Sequence, residues 1–99
     1  MRTLLKFQLD VEDAYKAMRD GSFSKIMEKL MHLTKPEASY FGIEEGNRTG
    51  FIFFELKDPS FIPQIGELLF MGSNAKISLI PIMNQEDLQN GLTNAFAKT

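Results

Sequence analysis

The sequence predicts an α+β domain, and three observations carry that prediction. Four short segments rich in β-branched and aromatic residues are interspersed with segments whose apolar residues recur at helical spacing. Their order is strand, helix, strand, strand, helix, strand, helix, so two strands follow one another directly and pair antiparallel. Finally, 99 residues at 43% hydrophobic suffice for one core and leave too little for two, which makes residues 1–99 a single domain.

Thr3 to Leu9 place Leu5, Phe7 and Leu9 on one side and Leu4, Lys6 and Gln8 on the other, the two-residue period of a strand. Asp10 is positioned to cap a helix beginning at Val11, with Glu12 and Asp13 in the first turn where the macrodipole favours acids. Val11, Ala14, Tyr15 and Met18 form its apolar stripe, Asp20-Gly21-Ser22 interrupts it, and Phe23, Ile26, Met27 and Leu30 restart it. The expectation is a helix in two parts, broken near Gly21 and ended at Lys35-Pro36, because a residue before proline is driven out of the helical region. Ala38 to Ile43 reads as the second strand, Glu44 to Thr49 as a polar turn carrying Gly46 and Asn47, and Gly50 to Leu56 as the third strand. The run Phe51-Ile52-Phe53-Phe54 is apolar on both sides and predicts a central strand.

Asp58-Pro59-Ser60 opens the next helix, whose stripe is Phe61, Ile62, Ile65, Leu68 and Leu69. Pro63 fits if the regular helix starts at Ser60, and Gly72 is the expected stop. Ala75 to Ile82 forms a fourth strand. Asn84 then caps a last helix, with Asp87 at the third position of a capping box and a face of Leu88, Gly91, Leu92, Ala95 and Phe96. Ala97 to Thr99 are left to fray.

A split βαβ unit repeated twice gives a ferredoxin-like βαββαβ sandwich, its antiparallel sheet ordered 4-1-3-2 with helices on one face and an extra C-terminal helix. The helix side takes Leu5, Phe7, Leu9, Ile52, Phe54, Leu56, Ile77 and Leu79. The opposite side keeps Leu4, Phe51, Phe53 and Ile80, with Lys6, Gln8, Glu55 and Ser78, and either Tyr40 or Phe41 according to the register of the second strand. A soluble monomer seldom leaves such a patch in water. Covering a few hundred Å² of it, at about 25 cal/mol per Å², is worth several kcal/mol.

The formal net charge is -2 and the pI about 5.3, so there is no basic field to hold a phosphate backbone or an anionic membrane. Cys is absent, which excludes disulfide frameworks, thiolate metal sites and thiol catalysis, and fits a reducing cytoplasm. Met1 to Lys6 contain no apolar run of signal-peptide length, and no stretch approaches a membrane span. A cytoplasmic protein is expected.

The segments Lys35-Pro36-Glu37-Ala38, Arg48-Thr49-Gly50, Lys57-Asp58-Pro59-Ser60, and Asn74-Ala75-Lys76 through Pro81-Ile82-Met83 to Glu86-Asp87-Leu88 resemble the dimeric α/β-barrel superfamily, in particular small stand-alone bacterial proteins of uncharacterised function. The resemblance covers most of the chain. It implies two ferredoxin-like subunits packed sheet against sheet, and assigns no reaction. The superfamily also holds cofactor-independent monooxygenases and isomerases, so an enzyme acting on a small apolar or aromatic metabolite is the alternative. The tryptophan, histidine and asparagine side chains on which such oxygenases commonly rely are not matched here: Trp is absent and His32 is expected to point away from the sheet.

His32 is the one histidine, and helical spacing from Leu30 turns it away from the core, four residues after Glu28. An exposed Glu-His pair near a helix end accounts for it without catalysis. With no cysteine and no second imidazole, neither a metal site nor a cofactor is expected. Lys6 and Glu55 share a sheet face and suggest a cross-strand ion pair at a dimer interface, or polar contacts in a ligand cleft. Tyr40 offers an aromatic body with a polar end. Arg48, Glu44 and Glu45 read as turn charges. Arg48 to Phe54 resembles the third-strand aromatic motif of RNA-recognition domains, with Phe51 and Phe53 where bases would stack. The acidic net charge and the Thr49 interruption disfavour that reading. The candidate ligand-binding set is therefore Lys6, Tyr40, Phe51, Phe53, Glu55 and Ser78, and the expected function is a homodimer that is structural or holds a small ligand in a partly apolar cavity.

Overall fold

The structure, a computed structural model, describes residues 1–97. The expected fraying at Lys98 and Thr99 lies outside the described residues. The elements are β1 (Arg2–Gln8), α1 (Val11–Arg19), α2 (Ser22–Thr34), β2 (Ala38–Glu44), β3 (Asn47–Glu55), α3 (Phe61–Ser73), β4 (Lys76–Pro81) and α4 (Gln85–Ala95). One antiparallel sheet runs β2-β3-β1-β4, which is 4-1-3-2 counted from the other edge. This is a small α+β domain compatible with a ferredoxin-like arrangement. Among the described residues no helix is long and apolar enough to cross a membrane.

The alternation in β1 determines which face is buried. Thr3, Leu5 and Phe7 are buried while Leu4, Lys6 and Gln8 are only partly so. Across the β1–β3 ladder Thr3 faces Phe54, Leu5 faces Ile52 and Phe7 faces Gly50, and these pairs form the floor of the core. Ala14 of α1, Ile26 and Leu30 of α2, and Ile65 and Leu69 of α3 close over it. The Phe7 ring occupies the space a side chain at position 50 would need, since a Cβ there would lie 2.3 Å from its Cζ. The helices leave β2 uncovered: Tyr40, Phe41, Gly42 and Ile43 are all exposed.

The two-part helix is two helices, with Gly21 between them in the left-handed region at φ 80°. The Asp20 carboxylate accepts the Ser22 N–H at 2.8 Å, and the Asp58 carboxylate accepts the Ser60 N–H at 2.8 Å. The side chain and then the N–H of Ser22 hold Asp20 below its ordinary pKa. At Asp58 the Ser60 backbone bond comes first and the Ser60 side chain second. Both carboxylates favour the native turns above the normal carboxylate range, and that preference is lost as the pH falls through their lowered values. Pro63 is the third residue of α3, where its missing N–H would have had no helical partner.

The structure departs from the sequence reading at three places. The six-residue turn expected at Glu44 to Thr49 is instead a two-residue reversal at Glu45 (φ 54°) and Gly46 (φ 77°), closed by the Glu44–Asn47 pair. Two successive positive φ values match the strand twist, so pairing continues right up to the reversal. Gly72 does not stop α3. The helix runs one residue further, to Ser73, with Asn74 the left-handed cap at φ 50°, and glycine stands at 72 because a Cβ there would meet Ile26 of α2, 2.4 Å away. Lastly, α4 forms with the full Asn84–Asp87 capping box, yet none of its residues is buried. The longest dimension reaches 59 Å and the radius of gyration 16.1 Å, against about 13 Å for a compact chain of this size.

Candidate functional site

The antiparallel registers arrange the open face in rungs. Tyr40, Phe51, Lys6 and Ser78 stand opposite one another across β2, β3, β1 and β4. These are four of the six candidate residues, brought into one row. The neighbouring row is Ala38, Phe53, Leu4 and Ile80, so Phe53 joins the group. Tyr40, and not Phe41, is the β2 aromatic on this face. Its ring meets Phe53 edge-on, with centroids 6.4 Å apart and an interplanar angle of 78°. The two central rows are apolar apart from Lys6, Ser78 and the Tyr40 hydroxyl. The rows on either side are polar: Thr49, Gln8 and Lys76 at one end, Arg2 and Glu55 at the other.

Glu55 is not part of the group. It sits four residues along β3 from Phe51, opposite Arg2, and its carboxylate pairs with the N-terminal ammonium of Met1. The expected Lys6–Glu55 pair is therefore not formed. Lys6 donates to the Glu44 carboxylate instead, and the Gln8 amide donates to the Glu44 backbone carbonyl at 3.3 Å. Reading Glu44 as a turn charge overlooked that it shares a strand face with Tyr40, four residues back, once β2 extends to the reversal. Arg2 pairs with Glu37 at 2.9 Å, so charge on this face is matched locally.

Arg48 is likewise no free turn charge. It lies in β3 with its guanidinium 4.7 Å from the centre of the Tyr15 ring, and Arg19 lies 5.7 Å from the same ring. Cations over a ring face are attracted by its quadrupole. Sequence alone could not bring positions 15 and 48 together. Arg48 also lines a groove of about 360 Å³ on the helix side, with Phe7, Leu9, Met18, Phe23, Phe41 and Ile43 among others.

His32 is exposed in the last turn of α2, in the helix layer beside Phe54, Leu56 and Phe61 and on the opposite side of the sheet from Lys6. The Glu28–His32 ion pair does not form among the described residues. Nor, among them, do three of the His, Asp and Glu side chains gather to hold a metal ion. His32→Ala should leave the denaturation midpoint and the association constant within a few tenths of a kcal/mol of the parent, as for an exposed helix position. A larger change in either, read by chemical denaturation and sedimentation, would give His32 a role.

In comparison with known proteins, the chain matches no family model, no curated protein and no solved structure.

Proposed function

We propose that this chain is the ferredoxin-like subunit of a dimeric α/β barrel, a homodimer joined through the open sheet face, with a partly apolar space between the sheets for a small ligand and no catalysis of its own. The supporting observation is the pair of central rows. Leu4, Phe51, Phe53 and Ile80 stand side by side with Tyr40, which is 65% exposed, and polar rows bound them at both ends. A contiguous apolar patch framed by charge is the usual form of a binding face. The Lys6–Glu44 pair removes the free positive charge that a single-stranded nucleic acid would need beside the aromatics. Lys6, Ser78 and Tyr40 are the polar groups that would orient a ligand between the sheets.

Light scattering at about 100 μM, where an affinity of about 1 μM or better pairs most chains, should give twice the 11.3 kDa chain mass. A single-chain mass at that concentration overturns the reading. Native mass spectrometry of protein purified without added ligand tests the cavity: a retained small molecule, lost on Lys6→Ala or Tyr40→Ala, supports binding. A dimer that carries nothing and takes up no apolar probe leaves the structural role alone.

A further inference from the structure

We propose that the groove on the helix side of the sheet is a separate ligand site for a monocarboxylic acid with an aliphatic tail, the tail lying along Phe41 and Ile43 and the carboxylate on the Arg48 guanidinium. The site is independent of the sheet-to-sheet dimer. It opens on the opposite side of the sheet from the face the dimer would use, so it stays accessible whether or not two chains associate. Its volume of about 360 Å³ falls within the range of small-molecule pockets, roughly 300–1,000 Å³. The walls are mainly apolar: Phe41 and Ile43 from β2, Phe7 from β1 with Leu9 just past its end, Met18 from α1 and Phe23 from α2.

The groove exists because the helix layer stops short of β2, leaving Phe41 59% and Ile43 81% exposed. The other uncovered element, α4, starts from the far end of the sheet. It follows β4, whose Pro81 stands opposite Thr3 near the start of β1, whereas Arg48 comes just beyond the Gln8–Thr49 pair at the end of that strand.

Charge selects the occupant. Arg48 stands opposite Ile43 in the β2–β3 ladder and lines the groove, and its guanidinium lies 4.7 Å from the centre of the Tyr15 ring. Among the described residues it pairs with no carboxylate, whereas Arg2 and Lys6 on the other face are matched to Glu37 and Glu44. Stacking on a ring fixes the plane of a guanidinium and leaves its N–H edge available, a fork that fits a carboxylate. Arg19, outside the groove, lies 5.7 Å from the same ring, so two guanidinium groups gather there in a chain of net charge -2. The field at that end of the groove favours an anion. The apolar walls favour a tail, which acetate or inorganic phosphate lacks.

Isothermal titration of the full-length protein with decanoate and with decylammonium, which share a tail and differ in charge, tests the site. Decanoate should bind at least about ten-fold more tightly, the effect of one charge-assisted hydrogen-bonded pair, and Arg48→Gln should remove that preference. Ile43→Asp sets a carboxylate across from Arg48 and should abolish decanoate binding with little change in the denaturation midpoint, since the position is exposed. Ile43→Asn, alike in shape but uncharged, should weaken binding only a few-fold. If Arg48→Gln lowers the midpoint, the two Ile43 variants decide the matter. No decanoate binding by about 1 mM, equal affinity for the two probes, or a preference that survives both Arg48→Gln and Ile43→Asp overturns the proposal. Binding lost in Phe53→Ala and kept in Ile43→Asp overturns it too, and places the ligand between the sheets.

Discussion

Phe53→Ala is expected to weaken dimer association by about thirty-fold, corresponding to about 2 kcal/mol, while leaving the subunit folded. The residue stands mid-strand in β3, between Ala38 and Leu4 in its row, on the side away from the helices, and its one ring partner among the described residues is Tyr40. Truncation therefore removes an aromatic anchor from the association face and little from the core. Ile52, its neighbour on the strand, is fully buried on the other face. Ile52→Ala should cost about 2–5 kcal/mol of subunit stability through lost transfer energy and the cavity left behind. Sedimentation reads the first effect and chemical denaturation the second. If Phe53→Ala unfolds the subunit and the remaining folded protein stays dimeric on dilution, association does not use this face.

Gly50→Ala should destabilise the subunit by about 1–3 kcal/mol, the range for overpacking a filled core. The added Cβ would stand 2.3, 2.5 and 2.9 Å from three atoms of the Phe7 ring. That ring is buried in the cluster with Leu5, Ile52 and Phe54, so it can yield only toward the groove it lines with Leu9 and Phe23. The backbone at Gly50 is ordinary strand, so the cost is steric and not conformational. Phe7→Leu in the same chain should therefore recover part of the loss, and the two substitutions together should cost about 1 kcal/mol less than their sum. A Gly50→Ala protein with an unchanged midpoint, or strict additivity with Phe7→Leu, would show that β1 and β3 move apart and that the ring contact sets nothing.

The sequence was legible wherever one local period decided the outcome. Leu5 and Phe7 in β1, and Ile52 and Phe54 in β3, point to the core because a strand alternates strictly, and the Asn84–Asp87 cap is written in four consecutive residues. What it hid depends on distant groups. Gly72 looks like a terminator until Ile26 is known to press against it, and Lys6 cannot be matched to Glu44 before the reversal at Glu45-Gly46 sets the length of β2. Arg48 and Tyr15 meet only through the packing of α1 beside the sheet. The stripe on α4 was readable as a stripe, but its lack of cover within the chain was not, since amphipathicity specifies that a helix has a partner and leaves the partner unnamed.

The exposure of β2 bears on how the subunit opens. Its strand ladder is with β3 alone and its side chains are mostly in water on both faces. Detaching it uncovers little apolar surface, and the free energy holding it in register is a fraction of that holding β1 and β3. In an isolated subunit such a strand separates by sub-global opening long before the core melts, and its amides would exchange with solvent accordingly. A second copy that placed its sheet against Tyr40 would supply the cover missing from one of those faces. Ordering the edge strand and joining two subunits would then be a single cooperative event, with part of the binding free energy used to finish the fold.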